Sequence, residues 1–149
     1  MDRFTRAFRA GWSDIDVNAH MSNSAYLERS VDVRIQFFHE HGFPVAELMR
    51  RQIGPVVMRE EIAYYREMHL LDAFQVSLEL AGLAEDGSRF RLTSEFTRTD
   101  GQIAARVTST GGWLDLKARR LIRPPEDLLA AIHRLTRTAD FEVLPSSAK

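Results

Sequence analysis

The sequence contains no cysteine, which excludes disulfide bonds, thiol nucleophiles and thiolate metal ligands. It also lacks an excess of either charge, because 20 Lys and Arg oppose 21 Asp and Glu and give a formal net charge of −1. A nucleic-acid-binding surface or a polybasic membrane anchor is therefore not expected. No apolar run is long enough to span a bilayer, and the first residues lack the apolar core of a signal peptide. These absences predict a cytoplasmic protein that binds neither nucleic acid nor membrane.

The apolar content is sufficient for one hydrophobic core. The chain has 149 residues, of which 44% are hydrophobic, and two separate domains would each be too small to bury a good core. No internal repeat, low-complexity tract or long linker interrupts it, and only Pro145 to Lys149 has the composition of a tail. We therefore predict a single domain that spans residues 1–149.

The strongest periodic signal lies in residues 24–40 and predicts an amphipathic helix. At 100° per residue, one half of the helical wheel collects most of the apolar side chains, namely Tyr26, Leu27, Val31, Val33, Ile35, Phe37 and Phe38. Ser22 or Asn23 is the expected N-cap, and Gly42 is the expected stop. Arg34 is the exception, because it lies in the middle of the apolar half and needs a carboxylate partner there.

Alternation with a period of two predicts strands before and after this helix. The predicted strands are residues 4–12, 56–66, 74–80, 90–97 and 103–116. Turn signals at Asp86-Gly87 and Asp100-Gly101 join the last three as hairpins, and Gly111-Gly112 predicts a bulge or a close backbone contact. The result is an α+β fold in which a curved antiparallel five-stranded sheet wraps one long central helix. Its open edges favour a homodimer.

Polar functional groups are densest between the first strand and the helix. Asp14, Asp16 and His20 precede the helix start, and Asn23 and Tyr26 lie within its first turn. A helix N-terminus offers unpaired backbone amides and the positive end of the macrodipole, which suit a carbonyl oxygen that becomes an oxyanion. A nearby carboxylate can attack a carbonyl or deprotonate a water molecule. This combination favours acyl transfer.

These residues resemble a known signature. Asp14-Ile15-Asp16, Ala19-His20-Met21-Ser22-Asn23 and Tyr26-Leu27 are similar to the pattern D-x-D-x-x-G-H-V-N-N-x-x-Y of the hot-dog-fold acyl-CoA thioesterases, the 4-hydroxybenzoyl-CoA thioesterase-like family. The resemblance covers roughly residues 4 to 125, and the family has the same order of strand, central helix and four strands. It implies a cofactor-free and metal-free enzyme that hydrolyses acyl-CoA to free acid and CoA. It also implies a homodimer or dimer of dimers (a homotetramer), with the acyl chain in a crevice beside the helix.

The resemblance also assigns roles to particular residues. Asp16 takes the place of the catalytic carboxylate, as nucleophile or general base, and Asn23 would orient water or substrate. Backbone amides near Ser24 to Tyr26 would polarise the thioester carbonyl. The implied substrate-binding residues are His20, Ser24, Tyr26 and Arg66. Arg66 is one of several arginines whose guanidinium groups suit CoA phosphates, with Arg59, Arg119, Arg120 and Arg123. Asp14 is expected to be structural, holding the loop or pairing with Arg34.

The chain departs from the family pattern at several positions. Ala19 and Leu71 replace two glycines, and Glu67 replaces the proline that usually follows the second strand. Val31 stands where a catalytic helix Glu often lies, so dependence on Asp16 increases.

Two other functions are compatible with this sequence. Hot-dog hydratases carry the pattern D-x-N-P-x-H, and Asp16-Val17-Asn18-Ala19-His20 is one residue too short and lacks the proline. An enoyl-CoA hydratase is therefore the less favoured alternative. The other is a non-catalytic hot-dog protein that binds acyl-CoA without turnover, because fold alone does not confer activity. His39 and His41 straddle a helix end without carboxylate ligands, which argues against a metal site.

Overall fold

A computed structural model of the protein describes residues 2–148. The elements in chain order are β1 (Phe4–Arg9), a short 3-10 turn (Trp12–Asp14), α1 (Asn23–Glu40), α2 (Val45–Arg51), β2 (Ile53–Tyr64), β3 (Ala73–Ala84), β4 (Arg89–Arg98), β5 (Ile103–Asp115), β6 (Arg120–Ile122), α3 (Glu126–Ile132) and β7 (Arg137–Leu144). The predicted α+β architecture with one long helix against a sheet is confirmed. Within residues 2–148, every helix is too short or too polar to cross a membrane.

The sheet has seven strands, so the prediction of five is wrong. The main path runs β1-β3-β4-β5-β2 with antiparallel neighbours, while β6 pairs with β5 and β7 pairs with β3. The β7–β3 pairing is parallel and irregular. β1 pairs with residues 73–78 of β3, and β7 pairs with residues 80–84 on the same side of that strand. A strand of three residues and a strand with a broken register carry almost no period-two signal, which is why the sequence pattern did not reveal them.

Helix α1 begins and ends where its capping residues predict. The Ser22 hydroxyl accepts a hydrogen bond from the Ala25 amide at 3.4 Å, and Gly42 follows the helix with φ +91°. Its buried residues are Ala25, Tyr26, Ser30, Val33, Phe37 and Phe38. Val31 and Ile35, however, are 39% and 48% exposed. One flank of the predicted apolar half is therefore uncovered in the single chain.

Within residues 2–148, Arg34 lacks the carboxylate partner that the sequence led us to expect. Among the described residues, no acid lies within ion-pair distance of its guanidinium, and burial lowers the pKa of Arg34 while the charge of Glu60 partly opposes this. Asp14 pairs instead with Arg29, whose Nη2 lies 3.0 Å from Asp14 Oδ1. The pairing of Asp14 with Arg34 suggested by the sequence is therefore wrong. A helical wheel gives angles around the axis but not the position of the preceding loop.

The two consecutive glycines of β5 permit a close backbone approach, as predicted. A Cβ at Gly111 would lie 2.2 Å from the carbonyl oxygen of Val56, and one at Gly112 would lie 2.8 Å from the carbonyl oxygen of Ser88. The neighbouring irregularity lies in β2, where the register shifts between Val57 and Arg59. No other residue type fits at Gly111 without moving the backbone of β2.

The last residues are not a free tail. The Ser147 amide donates to the Ser88 hydroxyl at 2.8 Å, and Arg89 Nε donates to the Ser147 hydroxyl at 2.7 Å. Ser146 adds a hydrogen bond to Asp86 in the β3–β4 turn. Ser146 and Ser147 thus fasten this segment to β4 and the turn before it, while Lys149 lies outside the described residues.

Candidate active site

A pocket of about 560 Å³ opens at the N-terminus of α1. The loop before the helix forms one wall, and the end of β2 with the residues that follow it forms another. The lining residues are Asp16, His20, Met21, Asn23, Tyr26, Tyr64, Tyr65, Arg66 and Glu67. Carboxylates, an imidazole, phenols and a guanidinium therefore share one cavity.

The loop holds Asp16 in a tight turn. The Ala19 amide donates to the Asp16 carbonyl at 3.0 Å, and the Asn18 amide donates to Asp16 Oδ1 at 2.9 Å. Ala19 closes the turn in the left-handed region, with φ +64°. The second carboxylate oxygen, Oδ2, lies 3.8 Å from His20 Nδ1, and the side chain is 30% exposed. One oxygen thus orients the carboxylate, and the other is available to a ligand.

Asp14 anchors this loop from beneath. Its carboxylate is almost fully buried and accepts hydrogen bonds from the Gly11 amide at 2.8 Å and from Arg29 Nη2 at 3.0 Å. The Asp14 carbonyl also accepts a hydrogen bond from the Ser22 amide at 2.8 Å. Asp14 therefore joins the residues that follow β1 to the helix cap and to α1, which is the structural role that the sequence suggested.

The first amides of α1 are not equally free. Ser24 donates its amide to Asn23 Oδ1 at 2.9 Å, and the amides of Ala25 and Tyr26 donate to the Ser22 carbonyl at 3.1 and 3.4 Å. Within residues 2–148, the amide of Asn23 has no acceptor. The structure thus differs from the expectation that the amides near Ser24 to Tyr26 would polarise a carbonyl, since they already serve the helix cap. The unpaired donor at the positive end of the helix belongs to Asn23.

Tyr26 forms a buried aromatic wall of the pocket. Only 2% of its surface is exposed, and its ring packs edge-on against Phe96 and Tyr64, at centroid distances of 5.0 and 5.6 Å. Burial, with a smaller contribution from Tyr64 and Glu67, raises the pKa of Tyr26 to about 12. The phenol is therefore neutral at physiological pH. Tyr64 leaves the core and is 54% exposed.

Arg66 lies in the pocket wall with its guanidinium oriented by neighbours. Its Nε donates to Gln102 Oε1 at 2.7 Å, and its Nη1 donates to the Tyr65 carbonyl at 3.0 Å. Its backbone amide also donates to the Ala104 carbonyl, which fixes this segment against β5. The other arginines considered for CoA phosphates, Arg59, Arg119, Arg120 and Arg123, do not line the pocket.

Five of the six predicted site residues meet in this pocket: Asp16, His20, Asn23, Tyr26 and Arg66. Ser24 does not, since its hydroxyl lies 3.1 Å from that of Ser22 in the helix cap. The sequence pattern did not single out Tyr65 or Glu67 as lining residues. Glu67 replaces the proline that family members usually carry after the second strand. That substitution was the only feature of the sequence that drew attention to this position. Its carboxylate is 3.3 Å from His69 Nε2.

A family model and several solved structures of known proteins match this chain. The family model of the Thioesterase-like superfamily matches residues 10–132. The solved structure of protein SAV2348 from Staphylococcus aureus, in complex with CoA, is 24% identical with a TM-score of 0.82, and the alignment covers 98% of this chain and 91% of that one.

Two further solved structures share the fold. Slr0204 from Synechocystis, a 1,4-dihydroxy-2-naphthoyl-CoA thioesterase, is 16% identical with a TM-score of 0.78 over 89% of this chain and 96% of that one. YbaW from Escherichia coli, a probable thioesterase, is 22% identical with a TM-score of 0.76 over 89% and 98%. No curated protein sequence matches this chain significantly. At these identities the structural likeness establishes the hot-dog fold.

Proposed function

This chain belongs to the Thioesterase-like superfamily, and from that premise we propose that it hydrolyses acyl-CoA thioesters to free acid and CoA. The observation that carries the proposal is that one pocket is lined both by Asp16 and by Asn23, the helix residue whose backbone amide has no acceptor within residues 2–148. A carboxylate and an oxyanion donor are the two groups that acyl transfer to water requires.

The thioester carbonyl would accept a hydrogen bond from the Asn23 amide. Negative charge develops on that oxygen as the carbonyl carbon becomes tetrahedral, and the helix macrodipole stabilises it further. One such donor, when well aimed, contributes about 10²- to 10³-fold in rate. Because the amide belongs to the first residue of α1, its direction is fixed by the helix and needs no rearrangement during the reaction.

Asp16 would supply the nucleophile, either by taking a proton from water or by attacking the carbonyl itself. In the first case a water oxygen adds to the carbonyl carbon, the carbon–sulfur bond breaks, and CoA leaves as a thiolate that regains a proton. In the second the Asp16 carboxylate adds to the carbonyl carbon, the carbon–sulfur bond breaks to release CoA as a thiolate that regains a proton, and water then hydrolyses the anhydride left on Asp16. The free Oδ2 supports either route, and His20 and the Asn23 side chain would orient water or substrate beside it.

The acyl group would lie inside the pocket, and the nucleotide part of CoA would lie outside it. Arg66 suits a phosphate of CoA, because a guanidinium donates two parallel hydrogen bonds to an oxyanion. Tyr26 and Tyr64 offer aromatic surface to the acyl group. The CoA complex of the Staphylococcus aureus protein, which has the same fold, supports acyl-CoA as the substrate class.

We expect the chain to form a homodimer, or a tetramer made of two such dimers, that covers the exposed edge of the sheet. Strand β2 ends the main path of the sheet, and exposed apolar side chains lie along it and along the neighbouring flank of α1. They are Val57, Met58, Tyr64, Val31 and Ile35. Pairing of two β2 strands across a two-fold axis would satisfy their free backbone groups and cover this apolar surface.

The experiment is thiol release from a panel of acyl-CoAs by the native protein and by Asp16→Asn. We expect the variant to lose at least about 10²-fold in kcat with an unchanged circular dichroism spectrum. The amide retains an oxygen that can accept the Asn18 hydrogen bond, so the turn stays closed. Asp115→Asn is the matched control, because Asp115 Oδ1 accepts the Lys117 amide at 2.9 Å in a comparable turn at the end of β5, and Asp115 does not line the pocket.

Three results would contradict the proposal. Undiminished turnover in Asp16→Asn would remove Asp16 from the mechanism. Hydration of an enoyl-CoA without thiol release would indicate a hydratase. Acyl-CoA binding without any turnover would indicate a binding protein.

A further inference from the structure

Aromatic packing fixes the Tyr26 side chain in the wall of the pocket. Its ring meets the rings of Phe96 and Tyr64 edge-on, at centroid distances of 5.0 and 5.6 Å, and only 2% of the residue is exposed. Edge-to-face contacts at these distances are favourable, so the ring has little reason to turn away from them. The core therefore sets the position of the phenol hydroxyl before any ligand is bound.

This hydroxyl has no hydrogen-bond partner within residues 2–148. The same residues do not seal it away from solvent, in contrast to Nε1 of Trp113, which is a fully buried donor without a partner. Tyr26 lines the pocket together with Asp16 and Asn23, so its hydroxyl opens into that cavity. A tyrosine hydroxyl on a buried ring usually has a partner in the protein. Here only water or a bound molecule can supply one.

The charges of the pocket favour an uncharged acceptor for this hydrogen bond. Asp16 and Glu67 both contribute carboxylates to the lining, whereas Arg66 contributes the guanidinium. That guanidinium already donates to Gln102 and to the Tyr65 carbonyl. An anionic group in the pocket would be repelled by the two carboxylates, and a ketone or hydroxyl oxygen would not be.

We propose that the Tyr26 hydroxyl selects acyl groups that carry an uncharged hydrogen-bond-accepting oxygen, a ketone or a hydroxyl, over plain hydrocarbon chains. The inference rests on the proposed thioesterase function, in which the acyl group occupies this pocket. A hydrocarbon chain there would remove water from the hydroxyl and return no hydrogen bond. A site that hydrogen-bonds a substrate group rejects the analogue without that group more strongly than an apolar pocket discriminates by size.

The test uses straight-chain acyl-CoAs of one length, one of them saturated and the others with a ketone at successive positions along the chain. A ketone only accepts hydrogen bonds, so a preference for it requires a donor in the pocket. We expect the ratio of kcat/KM for the best-placed ketone to that for the saturated chain to fall about tenfold or more in Tyr26→Phe. Comparing the two proteins cancels differences in intrinsic reactivity between the thioesters.

Two further measurements make the result specific. Tyr26→Phe keeps the ring and removes a hydroxyl without a protein partner, so the free energy of unfolding should not fall. Tyr65→Phe is the matched control for the ratio. Tyr65 also lines the pocket, but its hydroxyl lies 3.5 Å from Arg106 Nη1, so its removal should leave the ratio unchanged.

Several outcomes would overturn the role of the Tyr26 hydroxyl and leave the thioesterase intact. One is an unchanged ratio in Tyr26→Phe. Another is an equal loss of kcat for every acyl-CoA, because the hydroxyl would then donate to the thioester carbonyl. A changed molar mass in solution with the ratio preserved would assign the hydroxyl to a subunit contact.

Two outcomes concern the substrate itself. Faster turnover of a chain of the same length that ends in a carboxylate than of any ketone would overturn the choice of an uncharged oxygen. Absence of thiol release from every acyl-CoA would overturn the proposed function and this inference with it.

Discussion

Arg29 reaches from α1 to the buried carboxylate of Asp14, with Nη2 3.0 Å from Oδ1 and 3.2 Å from Oδ2. The same guanidinium donates through Nη1 to Asp32 at 3.0 Å, one turn along the helix. This contact ties the loop that carries Asp16 to the helix that carries Asn23. The relative position of the proposed carboxylate and oxyanion donor therefore depends on a pair that does not line the pocket.

Arg29→Met should destabilise the protein by about 3 kcal/mol, because it leaves the carboxylate of Asp14 buried without its cation. The measurement is the free energy of unfolding in urea. Arg50→Met is the control, since Arg50 is largely exposed and pairs with Glu47 at the surface, where substitutions change stability by less than about 0.5 kcal/mol. Equal stability of the two variants would show that Asp14 is solvated.

Ala19→Gly and Leu71→Gly should each stabilise the protein by about 0.5–1 kcal/mol. Both residues hold the left-handed conformation, at φ +64° and +68°, which strains any residue with a Cβ. Both side chains are exposed, so little buried surface is lost. The gain in the free energy of unfolding is smaller than the strain energy removed, because glycine also raises the conformational entropy of the unfolded chain. A rise in the thermal unfolding midpoint checks this.

The reverse substitution provides the control for that prediction. Gly101 has φ +83° and no atom within 4 Å of an added Cβ, so Gly101→Ala tests the backbone alone. It should destabilise by about 1 kcal/mol. If Ala19→Gly and Gly101→Ala shifted the midpoint in the same direction, backbone strain would not be the cause.

Gly111→Ala should be much more damaging than Gly101→Ala, by at least about 3 kcal/mol, since the new methyl group would overlap the Val56 carbonyl at 2.2 Å. This steric clash can be removed only if β2 moves away from β5. Loss of soluble folded protein, measured by circular dichroism after purification, is the expected result. A variant that unfolds at the native midpoint would show that β2 shifts at no cost.

Stability should fall in acid through Glu95. Burial tends to raise the pKa of this carboxyl, but hydrogen bonds from Arg106 and Arg3 outweigh it and hold the pKa below the ordinary 4.5. A depressed pKa stabilises the fold fully above pH 4.5, and this contribution is lost as the pH falls through the lower folded value. Glu95→Gln should lower the urea midpoint at pH 7 and flatten its decline as the pH falls below 4.5. An equally steep decline in the variant would assign the acid sensitivity to other carboxyls.

The sequence predicted the elements whose signal is local. Residues 24–40 carry a complete helical period with a capping serine and a terminal glycine, and the observed α1 differs by one residue at its start. The hairpin turns at Gly87 and Gly101 have the positive φ values that aspartate-glycine pairs favour. These features depend on neighbours in the chain, which a sequence states directly.

What the sequence could not give depends on distant neighbours. The partner of Asp14 is decided by where the loop crosses α1, so Arg29 and not Arg34 meets it. The free amide at Asn23 emerges only once the cap hydrogen bonds of Ser22 and Ser24 are known. Strand β7 pairs with β3 across more than 50 residues of chain and breaks its register on the way. None of these contacts produces a periodic pattern of apolar residues in the sequence.

The two sides of the sheet differ in what they offer to another copy of the chain. β2 is a single strand of 12 residues, whereas the opposite side is divided between the six residues of β1 and the eight of β7, which run in opposite directions along β3. A strand that docked on that divided side would find no continuous template. A dimer joined through two β2 strands would therefore leave no long, continuous strand edge on which a further copy of the chain could add.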